Sequence, residues 1–438
     1  MNRTDSFILK NNLMKTTFLM FFMLIGITLT HSVQAQTLEE FQKKAAEQNP
    51  ALKSSYMNYL AALEQTAQAG TLPDPELSFG YFISPIETRL GPQQARVSLS
   101  QMFPWFGTLS HASSASVLNA KAAFGQFQEK RNLLFYAISD VYAKIYETDE
   151  NINLTREHII LLKTIEQLSI SKYENGKVSQ ADVLQTQIEL SDLENKLHSL
   201  QDKRQNQEHT FQEMVGDSTI SVSTDQQISV SEKTYTEAEV LKQAQDQNPT
   251  LKAQFFKIQS AEERMEVAKR RGLPTIGFSV DYVFTGERND VANLQDNGKD
   301  AFMAGFKINL PVNRTKYSAA TQEAEIIRNS AQEQRISAEN KLRKEILNTL
   351  TRIKTERRNR EHFGNGQIQR TQQTIDLLME AYANGNVSME EILRLQRKLL
   401  GYQWQEIQSQ TAIFKLNHYL DYLIGAHNKS PEYFSQND

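Results

Sequence analysis

The sequence Tyr-Glu-Asn-Gly-Lys-Val-Ser occupies residues 173–179 and returns as Tyr-Ala-Asn-Gly-Asn-Val-Ser at residues 382–388. Each copy has the glycine and the serine that are typical of a tight turn between two helices. Other landmarks return in the same order: Gln-Asn-Pro at 48–50 and 247–249, and a strand-ending proline at 104 and 311. The proline of Gln-Asn-Pro should break or kink the first helix of the unit. The sequence therefore predicts one architectural unit of roughly 200 residues that is used twice.

The spacing between the two copies grows along the chain. It is 201 positions between Leu72 and Leu273, 207 between Pro104 and Pro311, and 209 between Tyr173 and Tyr382. Duplicated units keep their packed elements and vary in exposed loops. The largest increase falls between two alternating apolar runs, so we expect a longer hairpin loop in the second copy.

The first 35 residues have the pattern of a secretory signal peptide. Lys10 and Lys15 precede an apolar run at 18–29, and Val33-Gln34-Ala35 is a small-residue cleavage site. The run is too short for a membrane-spanning helix, which needs ~20 apolar residues. A start at Met14 instead of Met1 would give a signal of more usual length. The remaining predicted divisions are a first repeat at 36–216, a linker at 217–234, a second repeat at 235–425 and a tail at 426–438.

Each repeat is predicted to contain a helix, a β-hairpin and a long helical hairpin. The β-hairpins are expected at 75–103 and 275–310, and the helical hairpins at 108–214 and 315–424. The stretch from Thr108 to Glu174 lacks proline, and as one helix it would be roughly 100 Å long. Apolar residues recur every three and four positions along it, which is typical of helices packed at a shallow angle.

Each β-hairpin alternates apolar and polar residues over strands of about ten residues, the length of a tilted strand in a membrane. Four strands cannot close a barrel, and an open sheet edge is not viable in lipid. Two or three copies of the chain would supply eight or twelve strands. The predicted fold class is therefore mainly α with a membrane β-barrel, in which long antiparallel helical hairpins form an α-barrel. A small soluble β-subdomain and an ordinary extended coiled coil are the simpler alternatives.

Composition excludes several other classes of protein. The chain has no cysteine, so disulfides and a lipid-anchoring cysteine are excluded, and its net charge of −4 gives no nucleic-acid footprint. Its histidines are scattered without acidic partners at metal-ligand spacing, so no metal site is predicted. Neither a phosphate-binding glycine loop nor a catalytic triad is present, and we expect no enzymatic activity and no cofactor.

These motifs, in this order, resemble the TolC family of outer-membrane efflux proteins over about residues 37–425. The resemblance implies a homotrimer with a twelve-stranded barrel and a long helical tunnel. It also implies a passive, gated exit duct for a tripartite pump with a periplasmic adaptor and an inner-membrane transporter of the RND (or ABC) type. Phe-Pro-Trp-Phe-Gly at 103–107 is most similar to the metal-cation branch, the CusC/CzcC-like group, although members of that group often carry a lipidated cysteine.

The resemblance also suggests functional residues. The helix-turn residues would meet the adaptor: Asn175, Gly176, Lys177, Val178, Asn384, Gly385, Asn386 and Val387. Asp182 and Glu391 match positions at a constricted tunnel mouth, where rings of carboxylates favour cations. They are equally acids that a helix N-terminus stabilises. The family's second acid, three residues further on, is replaced here by Gln185 and Arg394. Arg394 is a third candidate at the constriction, and it could instead pair with an acid on a neighbouring helix.

Phe103, Trp105 and Phe106 end the second strand, and they form either an interfacial aromatic girdle or the packing of a strand-to-helix corner. The predicted function is an outer-membrane exit channel for metal cations or drugs. Two rivals remain at this point: the duct of a type I protein-secretion system, and a soluble periplasmic coiled-coil scaffold or adaptor.

Overall fold

The computed structural model describes residues 37–224, 228, 235–290, 292–384 and 386–429. The predicted signal peptide, part of the predicted linker, Gly385 and most of the C-terminal tail lie outside these residues. Among the helices described, none is both long and apolar enough to cross a membrane.

The two repeats have the same order of elements. The first contains α1 (Leu38–Gln48), α2 (Pro50–Ala69), β1 (Glu76–Thr88), β2 (Gly91–Phe103), α3 (Thr108–Glu174) and α4 (Gln180–Val215). The second contains α5 (Glu237–Gln247), α6 (Pro249–Arg271), β3 (Thr275–Thr285), β4 (Ala301–Asn309), α7 (Arg314–His362), a π-helix (Phe363–Ile368), α8 (Gln369–Ala383) and α9 (Met389–Ile424), followed by a 3₁₀ turn (Ala426–Lys429).

The repeated Gln-Asn-Pro motif has one structural task in both halves. The Asn49 side chain accepts a hydrogen bond from the first turn of α2 and donates its amide to the Met214 carbonyl at the end of α4, at 2.9 Å. Asn248 does the same for α6 and the Leu423 carbonyl of α9, at 2.8 Å. A single side chain therefore caps one helix and donates to a carbonyl at the end of another helix, where the carbonyl has no partner within its own helix. Because Pro50 follows, the helix also breaks at Asn49, as the sequence predicts.

The four strands form one antiparallel sheet in the order β1-β2-β3-β4. Burial in this sheet is reversed relative to a soluble protein. Asp281 on the polar face is 0% exposed and ion-paired with Arg96 at 2.7 Å, whereas Phe302 on the apolar face is 72% exposed. The sheet therefore curves around its polar face and turns its apolar face outward, as the wall of a membrane barrel does.

One detail of the hairpins differs from the sequence prediction. The sequence predicts a loop that contains Pro85, Gly91 and Pro92, but β1 continues through Pro85 to Thr88 and β2 already begins at Gly91. The register shifts between Tyr81 and Ile86, which indicates a bulge. Proline is tolerated there because the irregularity takes its position out of the ladder with β2, where no partner residue faces Pro85. The longer loop in the second hairpin lies between Thr285 and Ala301, as predicted.

Two clusters of buried side chains hold the helices together. Near the start of the chain, Phe41 packs edge-on against Phe211 at 5.0 Å and joins α1 to α4 over Ile138 of α3. Farther along, Ile165 of α3 and Ile392 of α9 belong to one cluster that joins the two helical hairpins. The predicted apolar seam of α3 is the stripe that supplies these contacts.

The second long helix is not the single rod that the sequence suggests. α3 is unbroken over 67 residues, whereas its counterpart is divided into α7, the π-helix and α8. Between the matching landmarks Pro104/Pro311 and Tyr173/Tyr382, the second repeat is two residues longer, since the spacing rises from 207 to 209. A π-helix takes extra residues into a helix without ending it. The π-helix interrupts the rod without ending it, since His362 and Gln369 on either side keep α-helical backbone angles.

We expect Asn49→Ala to lower the stability of the purified protein in detergent by about 1–2 kcal/mol, because the cap and the bond to Met214 are both lost. Asn49→Ser keeps a capping oxygen and lacks only the amide that reaches Met214, so its loss should be smaller. The stability of both variants is compared through their melting temperatures, measured by circular dichroism. Equal stability of Asn49→Ala and wild type would show that the motif does not join the two helices.

Candidate functional site

The far ends of the two helical hairpins contain most of the residues that the sequence singles out. In the first tip, Gly176 has a left-handed backbone (φ 67°), and the Lys177 amide donates to the Lys172 carbonyl at 2.9 Å. In the second tip, the Asn386 amide donates to the Ala381 carbonyl at 3.1 Å. Both bonds span five residues, as in a helix-ending Schellman motif.

The tip surface is polar and exposed. Of the candidate tip residues that the structure describes, Val178 and Val387 are half-buried and the others are exposed: Asn175, Gly176, Lys177, Asn384 and Asn386. Val178 packs against the cluster that joins the hairpins. The turns are thus fixed from within and leave side chains and backbone groups free on the outside.

Asp182 lies three residues after the Ser179 cap of α4. Its carboxylate accepts from the Ser179 amide at 3.2 Å, and the Ser179 hydroxyl accepts from the Asp182 amide at 3.4 Å. This reciprocal pair is a capping box. The structural role expected for an acid at a helix N-terminus is therefore present at Asp182, whatever else this side chain does.

Glu391 lies in the first turn of α9 and is exposed. Its carboxylate is 3.7 Å from the Arg394 guanidinium one turn further on, and both side chains are exposed. A pair of this kind contributes little to stability. Between the hairpins, a shorter ion pair joins Arg397 of α9 to Glu189 of α4 at 2.6 Å.

The sequence reasoning missed Lys172, which joins the two tips. Its ammonium donates to the carbonyls of Tyr382 at 2.5 Å and Ala383 at 3.0 Å, and it lies 4.6 Å from the centre of the Tyr382 ring. A cation at the carboxyl end of α8 satisfies unpaired carbonyls and opposes the helix dipole. The only sequence signal was the contrast with the second repeat, where alanine occupies the matching position 381.

The two tyrosines of the repeated turn have different surroundings. Tyr382 is 1% exposed, whereas Tyr173 is 46% exposed. Burial raises the pKa of the Tyr382 phenol; the Ser169 hydroxyl opposes this rise and the Asp182 charge adds to it. Matching residues of the duplication therefore occupy an inner and an outer position within one chain.

At the other end of the molecule, the aromatic candidates divide into two groups. The ring centres of Phe103 and Phe278 are 6.0 Å apart, and those of Phe278 and Phe306 are 5.3 Å apart. These rings therefore form a row across three strands of the outward face. Trp105 and Phe106 form the corner between β2 and α3 with their rings 6.0 Å apart, and Phe106 is 80% exposed.

This combination of an outward apolar sheet and long helical hairpins defines a membrane channel with a helical extension. The chain belongs to the outer membrane efflux protein family, whose model matches residues 42–217 and 240–426. The resemblance to TolC-type channels is thereby confirmed. No curated protein matches the sequence.

Solved structures share the fold at low sequence identity. VceC from Vibrio cholerae has a TM-score of 0.74 at 18% identity, covering 89% of this chain and 96% of its own. The CmeC outer membrane channel of Campylobacter jejuni has a TM-score of 0.73 at 16% identity, covering 89% and 85%. CusC has a TM-score of 0.68 at 16% identity, covering 88% and 91%. The branch within the family is not resolved at this identity.

Family membership makes the chain an outer-membrane efflux channel with a periplasmic helical extension, and this is a transport function without catalysis. The predicted fold class with four antiparallel strands per chain, the efflux-channel function and the outer-membrane localisation are confirmed, whereas the predicted cargo and the trimer stay predictions. The alternative function, a soluble periplasmic scaffold or adaptor, is therefore excluded.

We expect Lys172→Met to loosen the contact between the two tips, because the apolar side chain cannot donate to the carbonyls of α8. Spin labels on cysteines introduced at Glu174 and Asn386 would report a broader distance distribution, and the cysteine-free chain makes such labelling specific. Lys177→Met, which removes an exposed lysine from the same turn, is the control. An unchanged distribution in Lys172→Met would exclude the link.

Proposed function

We propose that three copies of this chain form the outer-membrane exit channel of a tripartite efflux pump. The observation that carries the proposal is the reversed burial of the sheet, together with its two open edges. In the described structure β1 and β4 each pair on one side only. In lipid these edges need partners, and twelve strands from three copies would close a water-filled pore.

The helical layer has open edges of the same kind. Met57 on α2, and Ile326 and Ile327 on α7, are apolar and more than half exposed. Beside the sheet α2 packs on α3, α3 on α6 and α6 on α7, so α2 and α7 are the two edges of the layer. The α7 edge of one copy would cover the α2 edge of the next. This arrangement supports an α-barrel that continues the β-barrel into the periplasm.

The tips are the surface that we propose for the periplasmic adaptor. Their exposed side chains, and the backbone groups of turns held from within, suit a partner that docks without remodelling them. The proposed contact set is that of the sequence prediction: Asn175, Gly176, Lys177, Val178, Asn384, Gly385, Asn386 and Val387, of which Gly385 lies outside the described residues. The adaptor would connect the channel to an inner-membrane transporter of the RND (or ABC) type.

Asp182 and Glu391 are the proposed pore constriction, with Arg394 beside them. Three copies would place two carboxylate rings near the periplasmic mouth, where they would attract cations and narrow the path. Opening would require the tips to move apart. The capping role of Asp182 is compatible with this proposal, because its charge remains at the start of α4.

The proposed cargo is a metal cation or a drug. The resemblance to the metal-cation branch rests on residues 103–107, which form the corner between β2 and α3. This corner makes the sequence similar to the metal-cation branch, but a strand-to-helix corner does not by itself recognise cargo.

Purified protein should migrate as a heat-modifiable trimer, require detergent, and form channels in planar bilayers. Each result follows from the exposed apolar face and the open strand edges. Gel mobility with and without heating, and single-channel recording, are the measurements. A water-soluble monomer that forms no channel would refute the proposal.

Within such channels, Asp182→Asn and Glu391→Gln together should raise single-channel conductance and weaken block by a trivalent cation such as lanthanum. The asparagine keeps an oxygen that caps α4 and removes only the charge. Glu390→Gln, which neutralises the adjacent acid on α9, is the matched control. If conductance and block match wild type, the two residues do not line the pore.

A further inference from the structure

A groove with a volume of about 740 Å³ lies where the helices approach the sheet. It is bounded by the last turns of α2 and α6 and by the first turns of α3 and α7. Its charged lining residues are Arg264, Arg271 and Lys316.

The groove lies on the concave side of the helical layer. α2 packs on α3, α3 on α6 and α6 on α7, so α2 and α7 are at the two edges. Both edge helices line the groove nonetheless, which requires the layer to bend around it. A groove on the opposite side touches only the two central helices, at residues such as Val117 and Glu262.

The groove is positively charged. Among its lining residues there is no acid to oppose the three basic side chains. The nearby acids of α6 point to the other side of that helix: Glu263 pairs with His111, and Glu266 pairs with Lys269 and Arg270. Helix periodicity explains the separation, since 264 and 271 share one face while 263, 266 and 270 share another.

The lining also offers neutral hydrogen-bonding groups. Gln65 and Gln68 of α2 face the groove together with Ser116 and Asn119 of α3. Guanidinium groups bind carboxylates and phosphates through paired hydrogen bonds, and amides can satisfy the remaining oxygens. The chemistry of this wall therefore matches an oxyanion, and of the two cargo classes proposed above it favours a drug that bears carboxylate or phosphate groups over a free metal cation.

We propose that this groove binds multivalent oxyanions, and that the upper tunnel favours cargo bearing carboxylate or phosphate groups. This inference rests on the proposed trimeric channel, in which the concave side becomes the tunnel wall. Three copies would place nine basic side chains in a band of the tunnel about 10 Å deep, since Arg264 and Arg271 are two helical turns apart. Their combined field is local, since screening limits it to ~10 Å at moderate salt.

The test is calorimetric titration of the detergent-solubilised protein with inorganic pyrophosphate, together with pyrophosphate block of single channels. Arg271→Gln should weaken binding roughly tenfold and weaken block in parallel, because a charge-assisted bond is lost. Arg264→Gln should act in the same direction. Raising the salt concentration should weaken binding to wild type.

Lys269→Gln is the matched control, since it removes a cation two positions away on the opposite face. Its binding of pyrophosphate should equal that of wild type. Three results would overturn the inference: wild type binds no pyrophosphate, Arg271→Gln binds it as tightly as wild type does, or Lys269→Gln loses as much affinity as Arg271→Gln. If channels form normally but pyrophosphate neither binds nor blocks them, the oxyanion site is refuted and the proposed function stands. If no channels form, the proposed function itself is refuted.

Discussion

The backbone hydrogen bonds of the two edge strands are the constraint on which the rest of this molecule depends. Within the described structure β1 and β4 each have one unpaired side, and their neighbouring side chains are apolar and exposed. Water could satisfy these backbone groups in a soluble protein, but lipid cannot. The same incompleteness appears in the helical layer at α2 and α7. One chain is thus a segment of a wall, and its shape is explained by the closed tube that we propose.

The two repeats have diverged where one tip must lie against the other. Lys172 of the first hairpin caps α8 of the second, while the matching Ala381 has no such function. Tyr382 is enclosed by this contact and Tyr173 is left exposed. The π-helix adds a further difference, since it interrupts the second long helix, whereas α3 is α-helical throughout. A duplicated sequence therefore produces an inner and an outer hairpin that are not interchangeable.

Charge is distributed unevenly along the path that this fold implies. Basic side chains of α6 and α7 line the concave groove near the sheet, and acids stand at the beginnings of α4 and α9 near the tips. A net charge of −4 conceals this separation. In the proposed tunnel, cargo would meet carboxylates first and guanidinium groups later. Selectivity would then depend on the position along the tunnel and not on the total charge of the protein.

The sequence by itself determined the duplication, the strand alternation, the helix breaks at Asn49 and Asn248, and the outer-membrane family. These features are local or periodic, so neighbouring residues encode them. Only the tertiary structure decided that Pro85 stays within β1, that Lys172 reaches α8, and that Arg264 and Arg271 share a groove with Lys316. Those facts join residues far apart in the chain, or depend on which side of a curved layer a helix face lies. Periodicity defines a helix face, but the bending of the layer decides whether that face lines the concave side.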